Sequence, residues 1–323
     1  MTSWRIAPVL AIVVSMTWTI PAASQTVSLY EDFNSGLLDP DRWMGYEYSI
    51  GKYESRPEAL YGTPDWSAFE NDPTNQVSMR RVLGGQAQIA LTSYRASSGP
   101  IFGGGAKARS GLRINHLALA DHTPAVTAFR ATVTVMSASV PTPPPGRFCL
   151  DQGKASAELF GHFFNDGTST GAADLTGDVF TLVALARRVE KTDSGEVVRN
   201  VVETTIGRCN NADCSRVRWG ASRTLARTWT IGVPYVLIIV WQPASNAFAF
   251  TVVGEGTTES LSVPYTMADQ TRVRGYAYDL RVETRPRRCY TQVGASYQVP
   301  QQVSIDARFD DVHLNTAAAV ATR

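Results

Sequence analysis

Between Trp229 and Trp241 the chain reads Trp-Thr-Ile-Gly-Val-Pro-Tyr-Val-Leu-Ile-Ile-Val-Trp, and other segments repeat its period of two. That period is the strongest constraint on the fold. Side chains on an extended strand point alternately to opposite faces, so apolar residues at every second position mark half-buried strands. Thr127 to Val135 puts Phe129, Ala131, Val133 and Val135 on one face. Ala155 to Phe164 alternates in the same way and ends at the turn-forming Asn165-Asp166-Gly167. Val179 to Ala186 follows, then Val197 to Ile206 after Asp193-Ser194-Gly195, Ala247 to Val253, Arg272 to Glu283 and Val303 to Leu314. No window carries a sustained period of 3.6 with caps. Strands separated by Gly, Pro, Asn and Asp turns predict an all-β protein of two stacked antiparallel sheets, a β-sandwich with long loops.

Composition places this sandwich outside the cytoplasm. Arg5, an apolar run from Ile6 to Ile20 and the small residues Ala22-Ala23-Ser24 predict a signal peptide over residues 1–24. The expected domain is 25–315, with a small-residue tail over 316–323. Lys and Arg total 30 against 29 Asp and Glu, with no dense basic run, which argues against nucleic acid or an anionic membrane as partner. No later stretch is long and apolar enough to span a bilayer. A secreted or periplasmic location follows.

The four cysteines are even in number, as an oxidising compartment favours for disulfides. Cys209 and Cys214 flank a turn-forming tetrapeptide and are expected to pair locally, which leaves Cys149 for Cys289. A zinc site is the rival, but no histidine stands at a ligand spacing from these cysteines. Pro141 to Gly146 reads as a rigid surface loop, and Tyr46 to Asn75 as a long, aromatic, irregular one. Gly103-Gly104-Gly105 introduces no helix and is a loop, not a nucleotide site.

The mature chain opens Leu29-Tyr30-Glu31-Asp32-Phe33-Asn34-Ser35-Gly36, continues through Asp39 to Trp43, and closes with Phe309-Asp310-Asp311-Val312. This opening and closing resemble the secreted concanavalin A-like lectin/glucanase jelly rolls. A strand ending in Trp241, a short turn with Asn246 and a Phe248-x-Phe250 strand resemble the central hairpin of the same superfamily, which includes laminin-G-like domains. The resemblance implies that the terminal strands lie side by side. It also implies a possible structural Ca²⁺ held by oxygen ligands near both termini, with Asp32 and Asp311 the matching acids. No other cofactor is expected.

Glycoside hydrolases of this fold carry Glu-x-Asp-x-Glu on one strand, or the same with one more residue, so that one carboxylate attacks and another protonates. That string is absent. The nearest is Asp279-Leu280-Arg281-Val282-Glu283, whose central cation is expected to keep both acids ionised, on a salt-bridged solvated face. A second face sets Glu158, Phe160, His162 and Phe164 at alternate positions, suited to sugar binding or to a sheet edge with a packed histidine. The Gln-x-His and Arg-x-Glu-x-Arg strings of alginate lyases are absent. The catalytic candidates are therefore Glu158, His162, Asp279, Arg281 and Glu283. Tyr46, Tyr48, Trp66, Phe160, Tyr276 and Tyr278 are candidates to stack on a ligand, with Tyr53 and Tyr61 adding to the aromatic supply. A non-catalytic module that binds glycan or cell envelope is the favoured function. The alternatives are a hydrolase or lyase with an atypical site, and an envelope assembly module with a protein partner.

Overall fold

The computed structural model describes residues 27–48, 66–72, 76–95, 108–114, 126–142, 148–149, 152–169, 174–193, 195–212, 214, 216–268, 278–287, 289–290, 298–299 and 301–315. The strands are β1 (Val27–Glu31), β2 (Trp43–Tyr48), β3 (Trp66–Asp72), β4 (Gln76–Val82), β5 (Ala87–Arg95), β6 (Ala108–Ile114) and β7 (Ala128–Ser139). Then come β8 (Phe148–Cys149), β9 (Lys154–Asn165), β10 (Asp178–Thr192), β11 (Gly195–Cys209), β12 (Val217–Thr224) and β13 (Pro234–Gln242). The last are β14 (Ala247–Gly254), β15 (Thr257–Pro264), β16 (Tyr278–Arg285), β17 (Cys289–Tyr290), β18 (Gln298–Val299) and β19 (Gln301–Asn315). Among the described residues the helical content is one 3-10 turn, Pro243–Ser245, and no helix is long and apolar enough to cross a membrane.

Two large antiparallel sheets stack face to face. One has the order β15-β14-β13-β7-β19-β5-β4-β3, with β1 against β19; the other is β12-β11-β10-β9-β16-β6-β2. Their inner faces carry the alternating residues that the sequence offers. Phe129, Ala131, Val133 and Val135 of β7 and Tyr235, Leu237, Ile239 and Trp241 of β13 meet Ala157, Leu159, Val183, Leu185, Leu280 and Val282 from the opposite sheet in one buried cluster. Burying a side chain of this size contributes roughly 1.5–3 kcal/mol. The terminal strands pair, Val27 facing Asn315 and Ser28 facing Leu314. The hairpin around Asn246 forms as expected, with Trp241 opposite Phe248.

The structure moves one strand boundary. The predicted strand from Trp229 begins only at Pro234, because Gly232 takes a left-handed turn (φ +81°) just before it. Trp229 is a strut instead. Its Nε1 donates to the carbonyls of Ala186 and Val201, at 3.1 Å each, and so ties the incoming loop to β10 and β11. The segment from Tyr46 to Asn75 is also not loop throughout, since β2 and β3 occupy its two ends. The signal peptide, the tail 316–323, Gly103 to Gly105, and residues 143–147 of the proline-rich loop lie outside the described residues.

Both disulfides are present, Cys149–Cys289 and Cys209–Cys214. The first joins directly facing residues of β8 and β17, in a small sheet of order β18-β17-β8. It links positions 140 apart, whereas the second spans 5.

Candidate functional site

The outer face of the seven-stranded sheet gathers most of the candidate residues. Cross-strand partners share a face, and Arg281 of β16 faces Glu158 of β9 on one side and Gly111 of β6 on the other. Asp279 stands between Phe160 and Arg113, and Glu283 between Ser156 and Arg109. Glu158, Asp279, Arg281 and Glu283 are at most 1% exposed, so the face expected to be solvated is buried. Burial of so many charges is costly unless each is paired and hydrogen-bonded. Here each carboxylate has both oxygens occupied. Glu158 accepts from Ser156 Oγ (2.6 Å) and Arg281 Nε (2.8 Å). Asp279 takes both prongs of Arg113, at 2.8 and 3.2 Å. Glu283 accepts from Arg109 Nε (2.7 Å) and Arg285 Nε (2.6 Å). The Arg281 guanidinium also lies 3.9 Å over the Phe160 ring, while its Nη2 has no partner among the described residues.

The lattice continues across the sheet. Lys154 Nζ reaches Glu203 (2.7 Å) and approaches Glu158 (3.7 Å), and Arg188 pairs with Glu203 and Glu190. Burial pushes the Glu158 carboxyl upward, but Arg281, Lys154 and Arg109 outweigh it and hold the group below the ordinary glutamate range. Glu203 is likewise raised by burial and lowered further by Lys154 and Arg188. A carboxyl lowered in the folded state adds stability above its ordinary value of 4.5, and that stability is lost as pH falls through the lower folded value. Asp306 and Asp310, raised mainly by burial, give the opposite slope above 3.8. Urea midpoints measured against pH are therefore expected to decline most steeply below about pH 4.5.

His162 lies two positions beyond Phe160, on an interior strand and not at a sheet edge. Its Nδ1 is 3.1 Å from Asp178 Oδ2, and Asn165 Nδ2 donates to the other oxygen of Asp178 (2.6 Å). The ring packs against Phe160 and Phe180, with centroids 5.3 and 5.7 Å away. An imidazole nitrogen of His162 and the sulfurs of Cys209 and Cys214 all lie within 4.8 Å of one another.

Phe164 does not continue this face. The register shifts between Val179 and Phe180, which face Phe164 and His162 respectively, so β9 carries one extra residue, a bulge. Phe163 and Phe164 both turn into the core, where Phe164 stacks on Trp241 at 5.1 Å. Tyr278 is a second correction. It is 1% exposed in the core beside Phe129 and Phe163, because it is in phase with Leu280 and Val282 and not with Asp279. Phe160 is buried beneath Arg281, which occupies the ring face that a sugar would need.

The remaining aromatics divide between sheets. Tyr46 and Tyr48 fall on β2, facing Gly111 and Arg109 at the edge of the charged sheet, whereas Trp66 faces Arg80 on β3 of the other sheet. The side chains of these three residues, and all of Tyr53, Tyr61 and Tyr276, are outside what the structure describes. Asp32 accepts from the Asn34 backbone N–H (3.1 Å) and Nδ2 (2.9 Å), and exposed Asp311 donates its N–H to Asp310 (2.8 Å). Among the described residues, Asp32 and Asp311 form no metal-sized group with a third acidic, imidazole or thiol side chain.

Trp219 completes the outer face and was not singled out from sequence. It sits on edge strand β12, 56% exposed, with its ring 5.9 Å from Phe180. Gly207 stands directly opposite Trp219, and a Cβ there would lie 2.4 Å from the Phe180 ring. The glycine thus lets an aromatic row run from His162 through Phe180 to a solvent-facing indole. Its sequence signal is a large aromatic in a short strand that otherwise holds only small, charged or hydroxyl residues and one valine, Val-Arg-Trp-Gly-Ala-Ser-Arg-Thr.

No protein-family model matches the sequence, and no curated protein matches it. Solved structures similar to it include a glycoside hydrolase family protein from Mycobacterium thermorestibile, at 12% identity, covering 88% of this chain and 99% of that one, with a TM-score of 0.33. Lectin II from Ulex europaeus is similar at 8% identity, covering 83% and 97%, with a TM-score of 0.30. The legume lectin-like domain from Entamoeba histolytica is 8% identical, covering 73% and 90%, with a TM-score of 0.28.

Proposed function

We propose that this β-sandwich is a non-catalytic glycan-binding module exported from the cytoplasm. The observation that carries the non-catalytic half is the state of the carboxylates. Glu158, Asp279 and Glu283 have all six oxygens engaged, four of them by paired arginines outside their own strand or across it and the rest by Arg285 and Ser156. Hydrolysis of a glycosidic bond needs an acid that still holds its proton near neutral pH. Glu158 is held in the opposite direction.

Binding is supported by the groups left over. Trp219, 56% exposed, offers its ring to the apolar side of a sugar, and Arg281 Nη2 is a buried donor with no hydrogen-bond partner among the described residues. Hydroxyl and carboxylate oxygens of a saccharide are suitable acceptors for such donors.

The test is a glycan array with the oxidised mature chain, run with calcium and with chelator, followed by calorimetry on the glycans retained. Trp219→Ala is expected to weaken binding about 2- to 12-fold, since one stacked ring contributes roughly 0.5–1.5 kcal/mol. Affinity unchanged by Trp219→Ala removes the platform from the binding site. Cleavage of a retained glycan that disappears in Glu158→Gln would establish a hydrolase or lyase instead. No retention at all favours a protein partner.

A further inference from the structure

The local disulfide and His162 form a group that neither glycan binding nor the charged lattice uses. One nitrogen of His162 and the sulfurs of Cys209 and Cys214 lie within 4.8 Å of one another, although His162 is remote from both cysteines in sequence. We infer that reduction of the Cys209–Cys214 disulfide opens a Zn²⁺ site formed by His162, Cys209 and Cys214. In the oxidised chain the sulfurs are bonded to each other and neither is a thiolate, so the site is closed.

Three features beyond proximity support a built site. The imidazole is already oriented. Nδ1 sits on Asp178 Oδ2, and Asp178 is itself fixed by Asn165, which leaves Nε2 as the nitrogen to carry a metal. A carboxylate behind the ligating histidine is the usual outer partner in zinc sites, where it sets the tautomer and raises ligand basicity. The surroundings are also suitable, because Phe160, Phe180, Leu182 and Val217 pack around the pair and limit water access. Finally, the sulfurs can separate. Tetrahedral zinc with Zn–S bonds of about 2.3 Å needs sulfurs about 3.8 Å apart. Cys214 is half-buried at the end of a turn whose Asn210 and Ala212 are exposed, so the change falls on the surface and not on the sandwich.

The chemistry balances with a dithiol as reductant. Two electrons and two protons pass from the dithiol to the disulfide, giving two cysteine thiols and an oxidised dithiol. Zn²⁺ then displaces the two thiol protons to solvent and takes neutral His162 as third ligand, with a water in the open fourth position. Cys149–Cys289, buried between facing strands, holds the fold meanwhile.

The experiment uses the mature chain, reduced with a dithiol, freed of it under argon and titrated with Co²⁺ as a spectroscopic probe and then with Zn²⁺. Alkylation mapping identifies which cysteines are free. The expected result is one equivalent of tetrahedral Co²⁺ with a thiolate charge-transfer band in the reduced chain and none in the oxidised chain, with β-sheet circular dichroism unchanged. His162→Gln is expected to abolish the band, and Asp178→Asn to weaken Zn²⁺ binding about 10- to 100-fold while retaining the band. The site is refuted by absence of metal uptake after reduction, by an undiminished band in His162→Gln, or by loss of sheet signal on reduction alone.

Discussion

Replacing Arg281 by methionine is expected to destabilise the sandwich by about 3–5 kcal/mol, the usual cost of leaving a buried charge without its partner. Arg281 is 1% exposed, donates Nε to Glu158 at 2.8 Å and lies 4.0 Å from Asp279. Methionine keeps much of the side-chain volume over Phe160, so the loss is electrostatic more than a cavity. Glu158 would retain Ser156 and a more distant Lys154. The double replacement Arg281→Met with Glu158→Leu is expected to recover most of that loss, because two apolar residues of similar size remove both desolvation costs together. Urea denaturation of the two single variants, the double variant and the parent forms a cycle that isolates the pair. A single-variant loss under about 1 kcal/mol would mean that water reaches Glu158 freely, contrary to its burial.

The second large effect concerns the two disulfides, which are expected to differ in weight. Cross-linking restricts the unfolded chain more as the closed loop lengthens, by about 5 kcal/mol for the 140-residue separation of Cys149–Cys289 and about 2 kcal/mol for the 5-residue separation of Cys209–Cys214. Paired serine replacements at each bridge, compared by denaturant midpoint under oxidising conditions, test this difference. Equal losses would show that the unfolded chain is already compact around Cys149 and Cys289. The lighter staple is the one beside His162, which is why its reduction is compatible with a folded sandwich.

Sequence resolves the strands with strong alternation and fails where alternation is weak or broken. β12 buries none of its residues, and although Val217, Trp219 and Ala221 alternate, the run is too short and too mixed with Gly, Ser and Arg to stand out. β4, β5, β6 and β15 also went unassigned, although Ala108, Ser110, Leu112 and Ile114 alternate cleanly once β6 is known. That parity turns Arg109 and Arg113 outward, toward Glu283 and Asp279. Tyr278 was misplaced although its parity with Leu280 and Val282 was available. Phe164 could not have been placed, since the extra residue at Phe163 reverses every later side chain and local sequence does not announce it.

By itself the sequence determined the all-β class, the pairing of its terminal strands and central hairpin through their resemblance, and the two disulfides. The class follows from local periodicity and turn residues, the disulfides from cysteine count and spacing, and the strand pairings from what the resemblance implies. Tertiary structure alone decided which charges meet and how dry they are. Glu158 and Arg281 are distant in sequence, and only the adjacency of β9 and β16 makes them a buried, hydrogen-bonded pair. His162 reaches Cys209 and Cys214 only because β10 lies between β9 and β11, and alternation from Phe160 puts the imidazole on the same outer face. Sheet order and register are set by packing over the whole core, and chemistry that depends on them is not written in any one segment.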